Sequence, residues 1–200
     1  MKRNSSKGNN SIKGAIVIIV LALSVLAYFY VINNRMKRVE KDVESISAVQ
    51  ELLIRNLDTN YPATPKEVVK LYSEITRCFY AEEYTEEDLI RMAEMSRKLF
   101  DDELVANQDD ESYIRALKGE IATYRQQNRV ITSYSVSSSA DVEYYNFRGG
   151  EWAQLIAMYS IKTAGKVEPS KERYLLRKDD AGHWKIFGFR MEQLGAGTTE

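Results

Sequence analysis

The chain has 200 residues, with 28 Lys and Arg against 29 Asp and Glu, one His, one Cys and 13 Tyr. That balance argues against a nucleic-acid-binding protein, because the phosphate backbone rewards clustered Lys and Arg. The single cysteine, Cys78, excludes an intrachain disulfide and a thiolate zinc site.

Residues 1–13 form a short basic tail, with Lys2, Arg3, Lys7 and Lys13 and no acid. Residues 14–32 follow as an uncharged apolar run closed by Tyr28, Phe29 and Tyr30. At ~1.5 Å per residue such a run spans ~28 Å, near the ~30 Å hydrocarbon core of a bilayer, and aromatic rings suit its edge. The reading is a single-pass transmembrane anchor that takes the lipid bilayer as partner. The acid-free tail points it cytoplasm-inward and sets the remainder outside the cell membrane. Arg35, Lys37, Arg38 and Lys41 on the far flank oppose that vote, but Glu40, Asp42 and Glu44 interleave with them. The competing reading is a secretory signal cleaved after Ala27, against which the apolar run continues past that residue.

Residues 33–58 read as a helical stalk. Met36, Val39, Val43, Ile46, Gln50, Leu53 and Leu57 recur at spacings of three and four, an a/d seam flanked by charge. Two outcomes fit that seam: a coiled coil making a homodimer through residues 36–57, or one amphipathic helix lying on its own domain.

Residues 59–192 form the expected α+β domain. Thr64, Pro65 and Glu67 supply a capping box and an N-terminal proline for a helix whose apolar stripe is Val68, Leu71, Tyr72, Ile75, Cys78 and Phe79. Cys78 on that stripe reads as a small buried hydrophobe. Thr85 and Asp88 start a second helix with a stripe from Leu89 to Leu104, interrupted by Ser96. Asp109 or Asp110 caps a third, carrying Ile114, Leu117, Ile121 and Tyr124.

At Val130 the period changes to two. Val130, Thr132, Tyr134 and Val136 alternate with polar neighbours, and the pattern resumes at Val142 after a Ser-rich interruption read as a bulge. Arg148-Gly149-Gly150 turns into a long strand over 151–163. A longer loop with Pro169 then leads to a strand over 173–177. Asp179 to Gly182 turns once more, and Trp184 to Met191 closes a sheet of about four strands. Residues 193–200 read as a frayed tail.

The final pair, Glu172-Arg173-Tyr174-Leu175-Leu176-Arg177-Lys178-Asp179-Asp180-Ala181-Gly182-His183-Trp184-Lys185-Ile186, resembles the last hairpin of the nuclear-transport-factor-2-like superfamily. The stretches Tyr61 to Tyr72 and Arg97 to Leu104 look like a narrower family of uncharacterised, membrane-anchored proteins of anaerobic Gram-positive bacteria. The resemblance covers roughly residues 55–192. It implies a curved sheet wrapped by helices into a cone, often dimeric, and it implies no activity.

Chemistry is sparse. Superfamily enzymes of the isomerase kind use a buried Asp helped by Tyr, a second Asp or His, and nothing here matches residue by residue. Asp141 and Tyr134 are the least implausible acid–base and oxyanion pair. His183 reads as a surface residue before a strand. No Gly-rich phosphate loop, nucleophile elbow or His-rich metal spacing occurs, so neither cofactor nor metal is expected. The expectation is a non-enzymatic extracytoplasmic interaction or scaffold module whose protein partner the residues do not name. The alternative is a domain that binds a small hydrophobic ligand, or performs simple acid–base chemistry on it, in a cone pocket.

Protease added to intact cells should remove the domain from the anchor. Digestion only after lysis reverses the orientation, and an intact domain in the medium means that the anchor is cleaved.

Overall fold

The computed structural model describes residues 46–193, and within it Ser47 onward forms one compact unit. The tail, the apolar run over 14–32 and the stalk up to Ser45 lie outside the described residues, as do residues 194–200. Among the described residues no helix is long and apolar enough to cross a membrane.

Among the described residues five α-helices precede the sheet: α1 (Ala48–Leu53), α2 (Pro65–Ala81), α3 (Glu86–Lys98), α4 (Asp102–Ala106) and α5 (Asp110–Gln126). The strands are β1 (Arg129–Val136), β2 (Glu143–Phe147), β3 (Gly150–Thr163), β4 (Lys166–Lys178) and β5 (Trp184–Glu192). All pair antiparallel in the order β1-β3-β4-β5, with β2 also on β3. The α+β class read from the sequence therefore holds, with helices first and a curved sheet after.

Helix starts follow their caps. Thr64 Oγ1 accepts from the Glu67 amide at 3.2 Å while Glu67 Oε2 accepts from the Thr64 amide at 3.1 Å. Thr85 and Asp88 repeat the box on α3. Each box satisfies amides that a helix N-terminus otherwise leaves without partners. Helix α2 then lies across β1 and β3 and reaches β5, with α5 beside it on β1. Its buried stripe contains Val68, Leu71, Ile75, Cys78 and Phe79, as expected. Burial pushes the Cys78 thiol up to about 11, so it is inert filling at neutral pH.

Several expectations need correction. The stalk does not continue to residue 58 as one helix. Ser47 caps α1, which ends at Leu53, and Asn56 Oδ1 accepts from the Asp58 amide in a turn. Val49, Leu52, Leu53 and Leu57 are buried in the domain's own core, and Ile46 is exposed. For this segment the amphipathic face packs on its own domain, which thus begins near residue 47 rather than 59. The seam positions Met36, Val39 and Val43 lie outside the described residues.

The stripe from Leu89 to Leu104 is split between α3 and α4. Between them the chain runs alongside β5: the Asp101 amide donates to Ile186 O at 2.9 Å, and the Ile186 amide to Leu99 O at 2.8 Å. Five strands replace the expected four, because the Ser-rich interruption is a turn (Ser139–Asp141) separating β1 from β2 along one edge of β3. The irregularity within β1 falls at Thr132 instead.

Nor is there a long loop after Thr163. Ala164 and Gly165, with φ of 50° and 86°, make a two-residue turn of the kind whose twist suits a hairpin, and Thr163 pairs Lys166. Pairs alternate from that turn, so Pro169 opposite Ser160 is a non-hydrogen-bonded position. Its missing N–H faces the side where β5, first paired at Lys171, has not yet joined.

Trp184 is buried at the start of β5, with Tyr144 edge-on at 5.8 Å. Leu52→Ala should cost about 2–5 kcal/mol in urea unfolding, as deleted core leucines do, whereas Ile54→Ala, at an exposed site, should stay within about 0.5 kcal/mol. Equal small losses would remove α1 from the domain.

Candidate functional site

Alternation along β4 turns Ser170, Glu172, Tyr174 and Leu176 to the helical side of the sheet, beside Tyr159, Ala157, Leu155 and Ala153 of β3. Toward the β5 start this face is dry: Leu155, Leu176 and Ile186 are 2 % exposed or less. Toward the other end the helices stand off. There Tyr72 and Tyr80 of α2, Tyr113 and Tyr124 of α5, and Tyr159 and Tyr174 of the sheet surround a pocket of about 570 Å³. Phe100 and Leu104 close one side, and the exposed Phe189 and Met191 stand at its mouth.

Three hydroxyls and one carboxylate cross the boundary between core and pocket. Ser73 Oγ lies 2.8 Å from Tyr159 Oη, Tyr159 Oη 2.8 Å from Tyr174 Oη, and Tyr174 Oη donates to Glu172 Oε2 at 2.7 Å. Proton counting sets the direction once Glu172 is ionised. Tyr174 spends its one proton on the carboxylate, so Tyr159 must donate to Tyr174, and Ser73 to Tyr159. Such a chain polarises toward its anionic end.

Burial pushes the Glu172 carboxyl above the usual glutamate range. The Tyr174 hydroxyl pulls the other way, and the nearby Glu120 charge adds to the rise. Burial likewise holds Tyr72, Tyr80, Tyr159 and Tyr174 above the ordinary phenol range, so these hydroxyls stay protonated. Arg97 is held by Asp110 at 2.6 Å and donates to Gln108 O at 2.9 Å. The Arg129 guanidinium lies 4.3 Å from the Tyr124 ring centre.

A wider hollow of about 1060 Å³ opens on the other face of the sheet, between the Arg148-Gly149 turn and Asp179 to Ala181. Its central charges are already paired: Arg177 forks onto Asp101 at 2.6 and 2.9 Å and reaches Glu103, and Lys178 meets Glu151. The inner pocket, with a desolvated and unmatched carboxylate, is the better candidate.

Of the acid–base pair expected from sequence, Asp141 is exposed at the end of the turn between β1 and β2. Tyr134 is half-buried on β1, opposite Tyr159, and burial raises its hydroxyl. Neither lines the pocket. The acid at the pocket is Glu172, and its hydroxyl partner is Tyr174. The residues carried a signal for both, in the i, i+2, i+4 spacing of Glu172, Tyr174 and Leu176. His183 is surface-exposed beside Tyr61, as expected. Among the described residues no cluster of three His, Cys, Asp or Glu could hold a metal ion.

The profile of a family described as Domain of unknown function (DUF6715) matches residues 1–189. The chain belongs to that family. Curated proteins give no match. Among solved structures, this DUF6715 chain is similar to the NMR solution structure of the transfer protein TraH from the Gram-positive conjugative plasmid pIP501. Identity is 16%, coverage 68% of this chain and 98% of that one, and the TM-score 0.35. A score that low carries no argument about role.

Because the folded state raises the Glu172 pKa, its protonated form is favoured on folding. That stabilisation is fully present below the ordinary glutamate value and is lost as pH rises through the raised folded value. Glu172→Gln, which removes the titration, should therefore unfold at higher urea than the wild type at pH 7.5, with the gap closing toward pH 4.5. A gap that widens on acidification would place the carboxylate in a stabilising, well-solvated setting.

Proposed function

We propose that this domain binds a small, largely apolar molecule in the tyrosine-lined pocket, held outside the cell membrane by residues 14–32. One observation carries the reading: a pocket of about 570 Å³ contains a desolvated carboxylate at the end of the Ser73–Tyr159–Tyr174 hydroxyl chain. A domain used only as a scaffold gains nothing from that arrangement. An unfilled interior forgoes packing, and a carboxylate in low dielectric is costly unless something meets it. Pockets of a few hundred Å³ with few polar groups among aromatic walls are the usual form of small-molecule sites.

The architecture supports reading the domain as nuclear-transport-factor-2-like. Helices come first, an antiparallel sheet follows, and the last hairpin carries Trp184 on its inner face. The uncharged run over 14–32 with its basic, acid-free tail supports the anchor. Binding, rather than turnover, is the function proposed. Glu172 can accept a proton, and its one hydrogen-bond partner among the described residues is the Tyr174 hydroxyl, whose own proton is already spent on it.

The full chain, labelled with 13C at tyrosine and held in detergent micelles, can be titrated with the neutral probe 2-phenylethanol. The ring signals of Tyr72, Tyr159 and Tyr174 should shift with saturation. Ala116 also lines the pocket, and Ala116→Trp should abolish those shifts while leaving the thermal midpoint near that of the wild type. Wild-type tyrosine signals that move neither with this probe nor with its ammonium or carboxylate counterparts, or shifts that persist in Ala116→Trp, reject the pocket as the site.

A further inference from the structure

We propose that the ligand of this pocket is an organic cation, an ammonium group on an apolar or aromatic body, with its charge seated on Glu172. The inference rests on the pocket being a ligand site, as proposed above, and goes further by naming the ligand's charge.

The carboxylate itself comes first. Glu172 Oε2 receives the Tyr174 hydroxyl, while Oε1 accepts no hydrogen bond among the described residues. No side-chain polar atom among those residues is both fully buried and without a partner, so Oε1 is open to the pocket. Glu172 also forms no ion pair among them. Of the cationic side chains of the pocket, Arg97 is paired with Asp110, and Arg129 lies over the face of Tyr124 in the lining itself. An ionised carboxylate in low dielectric with half its acceptor capacity free is matched most strongly by a charged N–H donor.

The walls point the same way. Aromatic faces carry the negative lobe of the ring quadrupole and attract cations within about 6 Å of the ring centre. Tyr72 and Tyr174 meet edge to face at 5.8 Å, and Tyr174 stacks on Phe189 at 5.4 Å, next to the carboxylate. In the same lining Arg129 already sits at 4.3 Å over Tyr124, so these rings hold one cation of the protein's own.

Other ligand charges fit less well. An anion would meet Arg129 over Tyr124 but also the Glu120 and Glu172 carboxylates, the first of which raises the second by its charge. A neutral alcohol can donate one hydrogen bond to Oε1 and leaves the half-buried charge without a counter-charge.

Three probes of one shape separate these cases on the full chain: 2-phenylethylammonium, 2-phenylethanol and phenylacetate, each titrated at pH 7.5 against the 13C-tyrosine signals. The ammonium should bind at least about tenfold tighter than the alcohol, as a charge-assisted bond and ring faces together require, with phenylacetate weakest. Glu172→Gln should bring the ammonium down to the affinity of the alcohol. The wild-type ranking decides the matter even if that variant does not fold. Equal affinity for ammonium and alcohol, or phenylacetate binding tightest, overturns the cation and leaves the pocket intact. Failure of all three probes to move any pocket tyrosine overturns both.

Discussion

The hydroxyl pair of Tyr159 and Tyr174 marks the place where the dry core of this domain ends. Both rings are 2 % exposed or less and pack as core aromatics, yet a phenol cannot be buried without a partner for its hydroxyl. The two hydroxyls meet across the β3–β4 ladder at 2.8 Å, and their remaining capacity runs to Ser73 on α2 and to Glu172 on β4. One polar line thus ties helix to sheet, and it ends on an acid at the edge of a pocket. Replacing either tyrosine by phenylalanine removes a link and leaves its neighbour's hydroxyl with one partner fewer.

The rest of the fold holds that boundary in place. Helix α2 must lie close to the sheet for Ser73 to reach Tyr159, and its stripe of Val68, Leu71, Ile75 and Phe79 supplies the contact. The mouth depends on the segment between α3 and α4. Leu99 and Asp101 bond to β5 through the backbone, and the buried Asp101 carboxylate takes the Arg177 fork. That pair stitches the segment to the outer side of β4, which sets Phe100 against Tyr72 at 5.5 Å as a wall of the pocket. Breaking such a pair by deleting one partner leaves a buried charge uncompensated and is costly.

How much of this is legible in the sequence depends on how local each feature is. Capping boxes at Thr64 and Thr85, the α2 stripe and the inward Trp184 are set by residues three or four apart or by strand alternation, and these can be read directly. The hairpin at Ala164-Gly165 cannot, because Pro169 suggests a loop, and only the pairing phase reveals that its ring falls on a harmless position. Reading a loop there starts the next strand at Arg173 instead of Lys166, so Glu172 falls just outside it and its facing goes unexamined. The last turns of the stalk mislead for a different reason. Leu53 and Leu57 fit a seam between two chains as well as a face on their own domain, and spacing alone does not name the partner. Asp141 draws notice as an acid near a supposed bulge, whereas a three-residue turn leaves it in solvent.

The most direct measurement of the central claim is the titration of Glu172 itself, followed by the 13Cδ shift of its carboxyl in the folded full chain. A desolvated carboxylate on the pocket wall predicts a midpoint above that of the exposed glutamates in the same spectrum. That midpoint should fall when 2-phenylethylammonium is present, because a bound cation favours the ionised form. A midpoint within the ordinary glutamate range, indifferent to the added cation, would contradict the account and return the interior of this domain to simple packing.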